Sequence, residues 1–221
     1  LNVALVGYGF AGKTFHAPLI AAVDGLHLHT VVSSDAAKVV ADFPQARVVA
    51  TLAEACADTA IDLIVVATPN TLHAAQARAA LAAGKHVVVD KPFAVSLAEA
   101  QAVSDDATSS GRLLSVFQNR RWDADFLTLR QLIADGTLGA VRYFESHFDR
   151  YRPQVRDRWR ERAGPGNSAW FDLGSHLVDQ ALQLFGRPEA ITLDTAAQRD
   201  GAQTDDYFHA LLRYPARRVV L

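Results

Sequence analysis

The chain has 221 residues, 50% of them hydrophobic and 21% charged, with a formal net charge of −2. That composition suits a globular protein of one large or two smaller domains, and the near-neutral balance argues against nucleic acid, which needs clustered Lys and Arg. Cys56 is the single cysteine, so no intrachain disulfide is possible, which is compatible with a reducing cytoplasm, and the lack of a signal-like leader or long apolar run gives no expectation of secretion or membrane spanning.

The first stretch, Leu1-Asn2-Val3-Ala4-Leu5-Val6, has strand length and breaks into Gly7-Tyr8-Gly9-Phe10-Ala11-Gly12. In a Gly-x-Gly-x-x-Gly turn between strand and helix, Gly7 permits the sharp turn and Gly9 lets backbone approach a pyrophosphate. Gly12 lets the helix pack closely on the sheet. The loop from Gly7 to Gly12, with Phe10 and Ala11 inside it, leads to a helix N-terminus whose free N–H groups favour phosphate. A dinucleotide site is expected here.

A helix is read over Phe15 to Val23, with Pro18 near its first turn, and a strand over Leu28 to Val32. A short helix over 35–43, a strand over Val48 to Ala50 and a helix over Leu52 to Asp58 follow. Ile61 to Ala67 is a buried-strand run, and Leu72 to Ala83 an alanine-rich helix closed by Gly84. His86 to Asp90 is a strand. Ser96 with Glu99 forms a capping-box pattern for a helix running towards residue 109, and Leu113 to Phe117 is the next strand. This alternation predicts βαβ units and a doubly wound parallel sheet over residues 1–118. After that the pattern changes. A helix over Asp123 to Ala134, a long strand over Val141 to Phe148, a polar segment at 153–169 and a helix over 173–185 precede strand-like runs at 190–198 and 207–214. An α+β second domain over 119–221, on an open and mainly antiparallel sheet, is expected.

NAD-binding versions of the glycine motif usually place an acid at the end of the second strand, for the ribose 2′-hydroxyl. Here that strand ends in Ser33-Ser34, with Lys38 one helical turn on. Small hydroxyls leave room for a 2′-phosphate and Lys38 supplies charge, which favours NADP(H) over NAD(H). Against this, Ser34 could be only an N-cap, and Asp35 could serve as the ribose acid. Thr68-Pro69-Asn70 and Asp90-Lys91-Pro92 lie just past strand carboxyl ends, the edge where open α/β sheets bind ligands. Pro92 keeps Lys91 extended, so its amine either polarises a substrate hydroxyl or is merely exposed. In the second domain, a helix starting near Leu173 would make Asp172 its N-cap and set His176 one turn in, as a proton acceptor or a structural histidine. Metal ligation by Asp172, His176 and Asp179, or by Glu145, His147 and Asp149, is the rival use. Neither set has a specific metal spacing, and no metal is expected.

Together with Ala67-Thr68-Pro69-Asn70-Thr71-Leu72-His73, Gly84-Lys85-His86-Val87, Asp90-Lys91-Pro92-Phe93 and Asp172-Leu173-Gly174-Ser175-His176, the glycine motif resembles the glucose–fructose oxidoreductase/inositol dehydrogenase/MocA family over essentially the whole chain. Ser115, Asn119-Arg120-Arg121-Trp122-Asp123 and Phe144-Glu145-Ser146-His147-Phe148-Asp149-Arg150 look closest to its NADP-dependent scyllo-inositol dehydrogenase branch. The resemblance implies a Rossmann domain and an α/β domain whose open sheet forms a homo-oligomer interface. It implies that Lys91, Asp172 and His176 form the catalytic set, with Asp90 in place of the family's glutamate before the lysine. It adds His73, Asn119, Trp159 and Arg160 to the cofactor-binding group, Trp159-Arg160 being the segment that approaches the nicotinamide. The chain has no methionine and stops within the strand-like Arg217-Arg218-Val219-Val220-Leu221. It therefore reads as a fragment lacking the end of its second domain. The expected activity is NAD(P)-dependent oxidation of a secondary alcohol on a cyclic polyol or sugar. The alternatives are a non-catalytic dinucleotide-binding regulator and a metal-dependent hydrolase.

Overall fold

Short runs of Val, Ile and Leu form six parallel strands: β1 (Asn2–Val6), β2 (His27–Val32), β3 (Arg47–Val49), β4 (Leu63–Val66), β5 (His86–Val89) and β6 (Leu114–Val116). The computed structural model describes all residues, 1–221, as two compact units, Leu1–Phe117 and Gln118–Leu221. In the first unit the strands run in the order β3-β2-β1-β4-β5-β6. This is the doubly wound order, with β1 and β4 flanking the point where the winding reverses. Side chains of β1 alternate between two cores. Ala4 and Val6 join Ile64, Val66, Val87 and Val89 on one face, while Val3 and Leu5 join Val31, Leu63 and Val65 on the other.

Both faces are covered by helices, which is why β4 is buried at every residue. Helices α1 (Ala17–Ala22) and α2 (Ala36–Asp42) supply Ala17, Ile20 and Val39 to one side. Helices α3 (Leu52–Ala57), α4 (His73–Ala82) and α5 (Leu97–Ser110) supply Ala55, Ala74, Ala77, Ala80, Leu81, Val103 and Ala107 to the other. The small residues of α4 let its backbone lie close to the sheet. Thr51 and Glu54 form a full capping box on α3, and the Ser96 side chain accepts from the Glu99 N–H on α5. Gly111 closes α5 in the left-handed conformation at φ 63°.

The first crossover helix is not continuous α-helix from Phe15. Gly12–His16 form a wide π turn, and α1 begins at Ala17 with Pro18 in its first turn. Gly12 has a nearer neighbour than the sheet, where a Cβ would meet the Leu5 side chain at 3.8 Å. A Cβ on it would stand 2.1 Å from the Gly7 carbonyl oxygen, so what it permits is closure of the loop on itself. Gly7 needs glycine twice over, through its φ of +98° and because a Cβ would stand 2.6 Å from the Ala67 carbonyl.

In the second unit, α6 (Ala124–Ala134) precedes β7 (Tyr143–Glu145), and α7 (Ser175–Phe185) precedes β8 (Ala190–Ala196), β9 (Tyr207–Arg213) and β10 (Arg218–Val220). The sheet order is β7-β10-β9-β8, with β10 parallel to β7 and antiparallel to β9. The long strand read over Val141 to Phe148 is three residues, because β7 pairs only with β10, from Tyr143 opposite Arg218 to Glu145 opposite Val220. Leu177 and Ala181 of α7 pack on Ala210, Leu212, Tyr214 and Val219 to form the core of this unit.

Asp172 is not a helix cap. The backbone is already helical at Ala169, and a π turn over Trp170–Gly174 runs directly into α7. Ser168 holds the cap position instead, its Oγ accepting from the Phe171 N–H at 3.1 Å, while Asp205 accepts from the Trp170 N–H. Ser34 is not a cap either, since Asp35 caps α2 by accepting from the Lys38 N–H.

Gly12→Ala is expected to destabilise the protein by about 1–3 kcal/mol through the forced shift of the Gly7 peptide. Gly9→Ala should leave the melting temperature unchanged, because its Cβ would meet nothing within 4 Å. Thermal unfolding of the two variants beside the wild type checks the contrast.

Candidate functional site

The carboxyl ends of β1, β2 and β4 open onto a cleft of about 440 Å³ lined by Gly7, Tyr8, Gly9, Ser33, Ser34, Asp35, Lys38, Thr68 and Gln76. Six of the residues read as cofactor-binding are thereby gathered: Gly7, Gly9, Ser33, Ser34, Lys38 and Thr68. Phe10 is exposed and meets Phe15 edge-on, and Gly12 is buried in the π turn beyond Ala11. The Lys38 ammonium donates to the Tyr8 carbonyl at 3.1 Å, which holds it at the cleft. Ser33 bonds the Asp35 backbone through its hydroxyl. One Asp35 carboxylate oxygen is committed to the start of α2.

Tyr8 and Gln76 were not expected in this lining. The Tyr8 hydroxyl donates to Asp42 at 2.9 Å, and Lys13 approaches the same carboxylate at 2.7 Å. Burial, reinforced by the Asp42 carboxylate, pushes the Tyr8 phenol up to about 12. Tyr8 is therefore a neutral donor across the working pH range, its hydroxyl tied to Asp42. Thr68 donates its hydroxyl to Gln76 at 2.6 Å, turning that side chain toward α4.

A second group lies at the same sheet edge, past β4 and β5. Asn70 is buried and opens a short 3-10 turn, with Pro69 exposed before it. His73 is 1% exposed, with Nδ1 2.8 Å from the Pro92 carbonyl and Nε2 2.9 Å from the Thr68 carbonyl. It braces the two crests against each other rather than facing a ligand. Asp90 follows β5, and its Oδ1 accepts from the Lys91 N–H at 2.7 Å. Burial works to raise the Asp90 carboxyl, but His16 and the Lys91 N–H outweigh it and hold it below the usual carboxylate range.

In the second unit, a cavity of about 370 Å³ is lined by Asp172 and Arg160 together with Phe148, Arg150, Arg152, Arg158, Glu161, Arg199, Asp205 and Asp206. The wall is built by ion pairs. Glu161 meets Arg158 at 2.7 Å and Arg199 at 3.2 Å, and Arg199 meets Asp206 at 2.6 Å. Arg160 stacks 4.8 Å from the centre of the Trp159 ring. Asn119 opens a 3-10 turn over Asn119–Trp122 and is half-buried. Asp172 sits within the π turn, and such one-turn widenings of a helix recur at functional positions. Gly174 is required there because a Cβ would stand 2.4 Å from the Trp170 ring. His176, one turn on, is buried and faces Phe148 edge-on at 6.5 Å between centroids.

The two carboxylate–histidine sets considered for metal do not assemble. Arg121 grips Asp179 with two hydrogen bonds at 2.8 and 2.6 Å, taking it out of any set with Asp172 and His176. His147 pairs with Glu145 at 3.0 Å at an exposed site, with Asp149 3.8 Å away. No group of three or more His, Cys, Asp or Glu is arranged as metal ligands.

The first cleft fits a dinucleotide. Gly9 has no protein neighbour that excludes a side chain, so the space over its backbone is free for a phosphate, and Lys38 brings a cation to its wall. A family model described as "Oxidoreductase family, NAD-binding Rossmann fold" matches residues 1–118, and one described as "GFO/IDH/MocA C-terminal domain" matches residues 126–221. The chain is 59% identical over its whole length to the uncharacterized oxidoreductase YdgJ of Escherichia coli, covering 64% of that protein. It is 42% identical over its whole length to the scyllo-inositol 2-dehydrogenase (NADP(+)) IolW of Bacillus subtilis, covering 62% of it. Among solved structures, the Yersinia pestis protein YPO2259 superposes with a TM-score of 0.94 at 58% identity, over 100% of this chain and 62% of that one. The chain thus spans less than two thirds of the length of these relatives.

Asp206 and Glu161 are both held below the usual carboxylate range. Burial opposes this, but N–H groups of Gln198, Arg199 and Arg156 and the guanidinium groups of Arg199 and Arg158 outweigh it. A lowered folded pKa gives stability that is complete above about pH 4 and is lost as pH falls through the folded value. Asp206→Asn should therefore lower stability at neutral pH and flatten its fall in acid. Urea midpoints measured from pH 7 down to pH 3 read this directly.

Proposed function

The chain belongs to the glucose–fructose oxidoreductase/inositol dehydrogenase/MocA family of oxidoreductases, and from that premise we propose an NADP(H)-dependent dehydrogenase acting on a secondary alcohol of a cyclic polyol or sugar, with scyllo-inositol as the model substrate. The observation that carries the reading is the cleft beside the glycine loop, where Ser33, Ser34 and Lys38 stand at the end of β2. The hydroxyls leave room for a 2′-phosphate and Lys38 supplies its countercharge. The similarity to IolW, whose name carries both scyllo-inositol and NADP(+), supports the same choice of cofactor and substrate class.

When bound, the nicotinamide supplies the hydride acceptor or donor. Gly7, Gly9 and Gly12, with the backbone of Phe10 and Ala11, would cradle its phosphates. Thr68, Pro69, Asn70, Asp90, Asn119, Trp159 and Arg160 complete the proposed cofactor surface, with His73 bracing it from beneath. Lys91 would hold the substrate hydroxyl and stabilise the alkoxide that develops as the C–H bond weakens. His176 takes the hydroxyl proton, and Asp172 orients the substrate or the histidine. A cavity wall of guanidinium and carboxylate groups beside Asp172 suits a ligand made of hydroxyls, which both donate and accept. We place the protein in the cytoplasm as a homo-oligomer joined through the second-unit sheet. No helix is long and apolar enough to cross a membrane.

The decisive assay is a panel of cyclitols and aldoses run with NADP and NAD in parallel on the full-length protein. We expect kcat/KM to favour NADP, and Lys38→Ala to lower it with NADP by about tenfold, the scale of one charge-assisted hydrogen bond, with little change for NAD. An NAD preference in the wild type would overturn the cofactor choice. Lys91→Ala should lower kcat by about 10²–10³, and near-wild-type turnover would remove Lys91 from the chemistry. Dinucleotide binding without turnover across the panel would replace this reading with a regulatory protein of the same fold.

A further inference from the structure

His16 is a buried titratable group that none of the proposed roles uses. It is 3% exposed, closes the π turn that follows the glycine loop, and packs its ring on Phe117 with 4.3 Å between centroids. Its Nε2 stands 3.3 Å from Asp90 Oδ2. Nε2 makes no hydrogen bond of regular geometry, so the Asp90 carboxylate is the polar group it faces. The other oxygen of the same carboxylate accepts from the Lys91 N–H. The next peptide is held too, since the Pro92 carbonyl meets His73. Two buried imidazoles thus grip the Asp90-Lys91-Pro92 crest, one from the glycine-loop side and one from α4.

A burial this complete costs a polar ring its hydration, which a purely packing residue such as Leu or Phe would not lose. On its Nε2 side the imidazole recovers part of that cost at Asp90. The carboxylate in turn has one oxygen on the lysine's own peptide and the other facing the dinucleotide loop. The placement makes Asp90 a connector between the element that would hold phosphates and the residue that would polarise substrate.

We propose that His16 is a positioning residue for Lys91: through Asp90 it couples the turn after the glycine loop to the backbone that carries the lysine. This rests on the reading of Lys91 as the polarising group. Misplacement of such a group by about 1 Å costs on the order of 100-fold in rate, so the link acts on kcat rather than on dinucleotide affinity, which the loop backbone sets.

The test is a double-mutant cycle in the full-length protein with His16→Leu, Asp90→Asn and both together, read as kcat on the best polyol substrate. Expected are a fall in kcat of about 10–100-fold for His16→Leu, a dinucleotide Kd close to wild type, and a double variant no slower than Asp90→Asn alone. Losses that multiply, or an unchanged kcat, overturn the proposal. His16→Gln, which keeps an N–H near the place of Nε2, should recover most of the activity. A Gln variant as slow as Leu would reduce His16 to a packing residue, and His16→Phe, which fills the site without an N–H, carries the cycle if Leu does not fold. A substrate-free reading separates this idea from the proposed function. In urea unfolding the same cycle should show that His16→Leu and Asp90→Asn lower stability by less together than the sum of their separate losses, and strictly additive losses overturn the pairing even where no polyol is turned over.

Discussion

Two backbone carbonyls leave no space for a side chain at the turn after β1, and much of the first unit follows from that. A Cβ on Gly12 would lie 2.1 Å from the Gly7 oxygen, and a Cβ on Gly7 would lie 2.6 Å from the Ala67 oxygen. The first contact folds the loop tightly onto itself, and the second locks it to the end of β4. With the loop so placed, the carboxyl ends of β1, β2 and β4 share one cleft, and the π turn that follows swings His16 inward against Phe117. Gly9, between the two, is bound by no such constraint, so its lack of a side chain serves the space outside the protein rather than its packing.

The second unit reaches a similar end by other means. Its helical run begins at Ser168 and Asp205, widens at Trp170–Gly174, and narrows into α7. The widening is held by the Trp170 ring lying on Gly174 and meeting Phe208 edge-on at 5.3 Å. It carries Asp172 into the cavity that Glu161, Arg199 and Asp206 wall with ion pairs. Each pair there has at least one partner largely withdrawn from water, so the network resists screening better than surface pairs do. In both units a π turn and a tight glycine contact accompany the residues to which chemistry is assigned.

Strands of the parallel sheet could be read from sequence because burial on both faces leaves continuous Val, Ile and Leu runs, as in Leu63–Val66. The capping signals at Ser96 and the glycine stops at Gly84 and Gly111 are also local, and they stand where they were expected. What failed was decided at a distance. The length of β7 depends on how far β10 runs beside it. The helical run starts ahead of Asp172 rather than near Leu173 because the aromatic contact that sustains the π turn joins Trp170 to a residue on β9.

Local stretches of sequence carry the glycine turn, the order of βαβ units, the Ser33-Ser34-Asp35 end of β2 and the family resemblance. Each is written in a few adjacent residues whose backbone needs or hydrophobic period speak for themselves. It takes the folded chain to bring Lys38 to the Tyr8 carbonyl, Arg121 onto Asp179, and His16 to Asp90. Those contacts join residues far apart in the chain, and a polar side chain shows its partner only once folding has removed the water that would otherwise satisfy it.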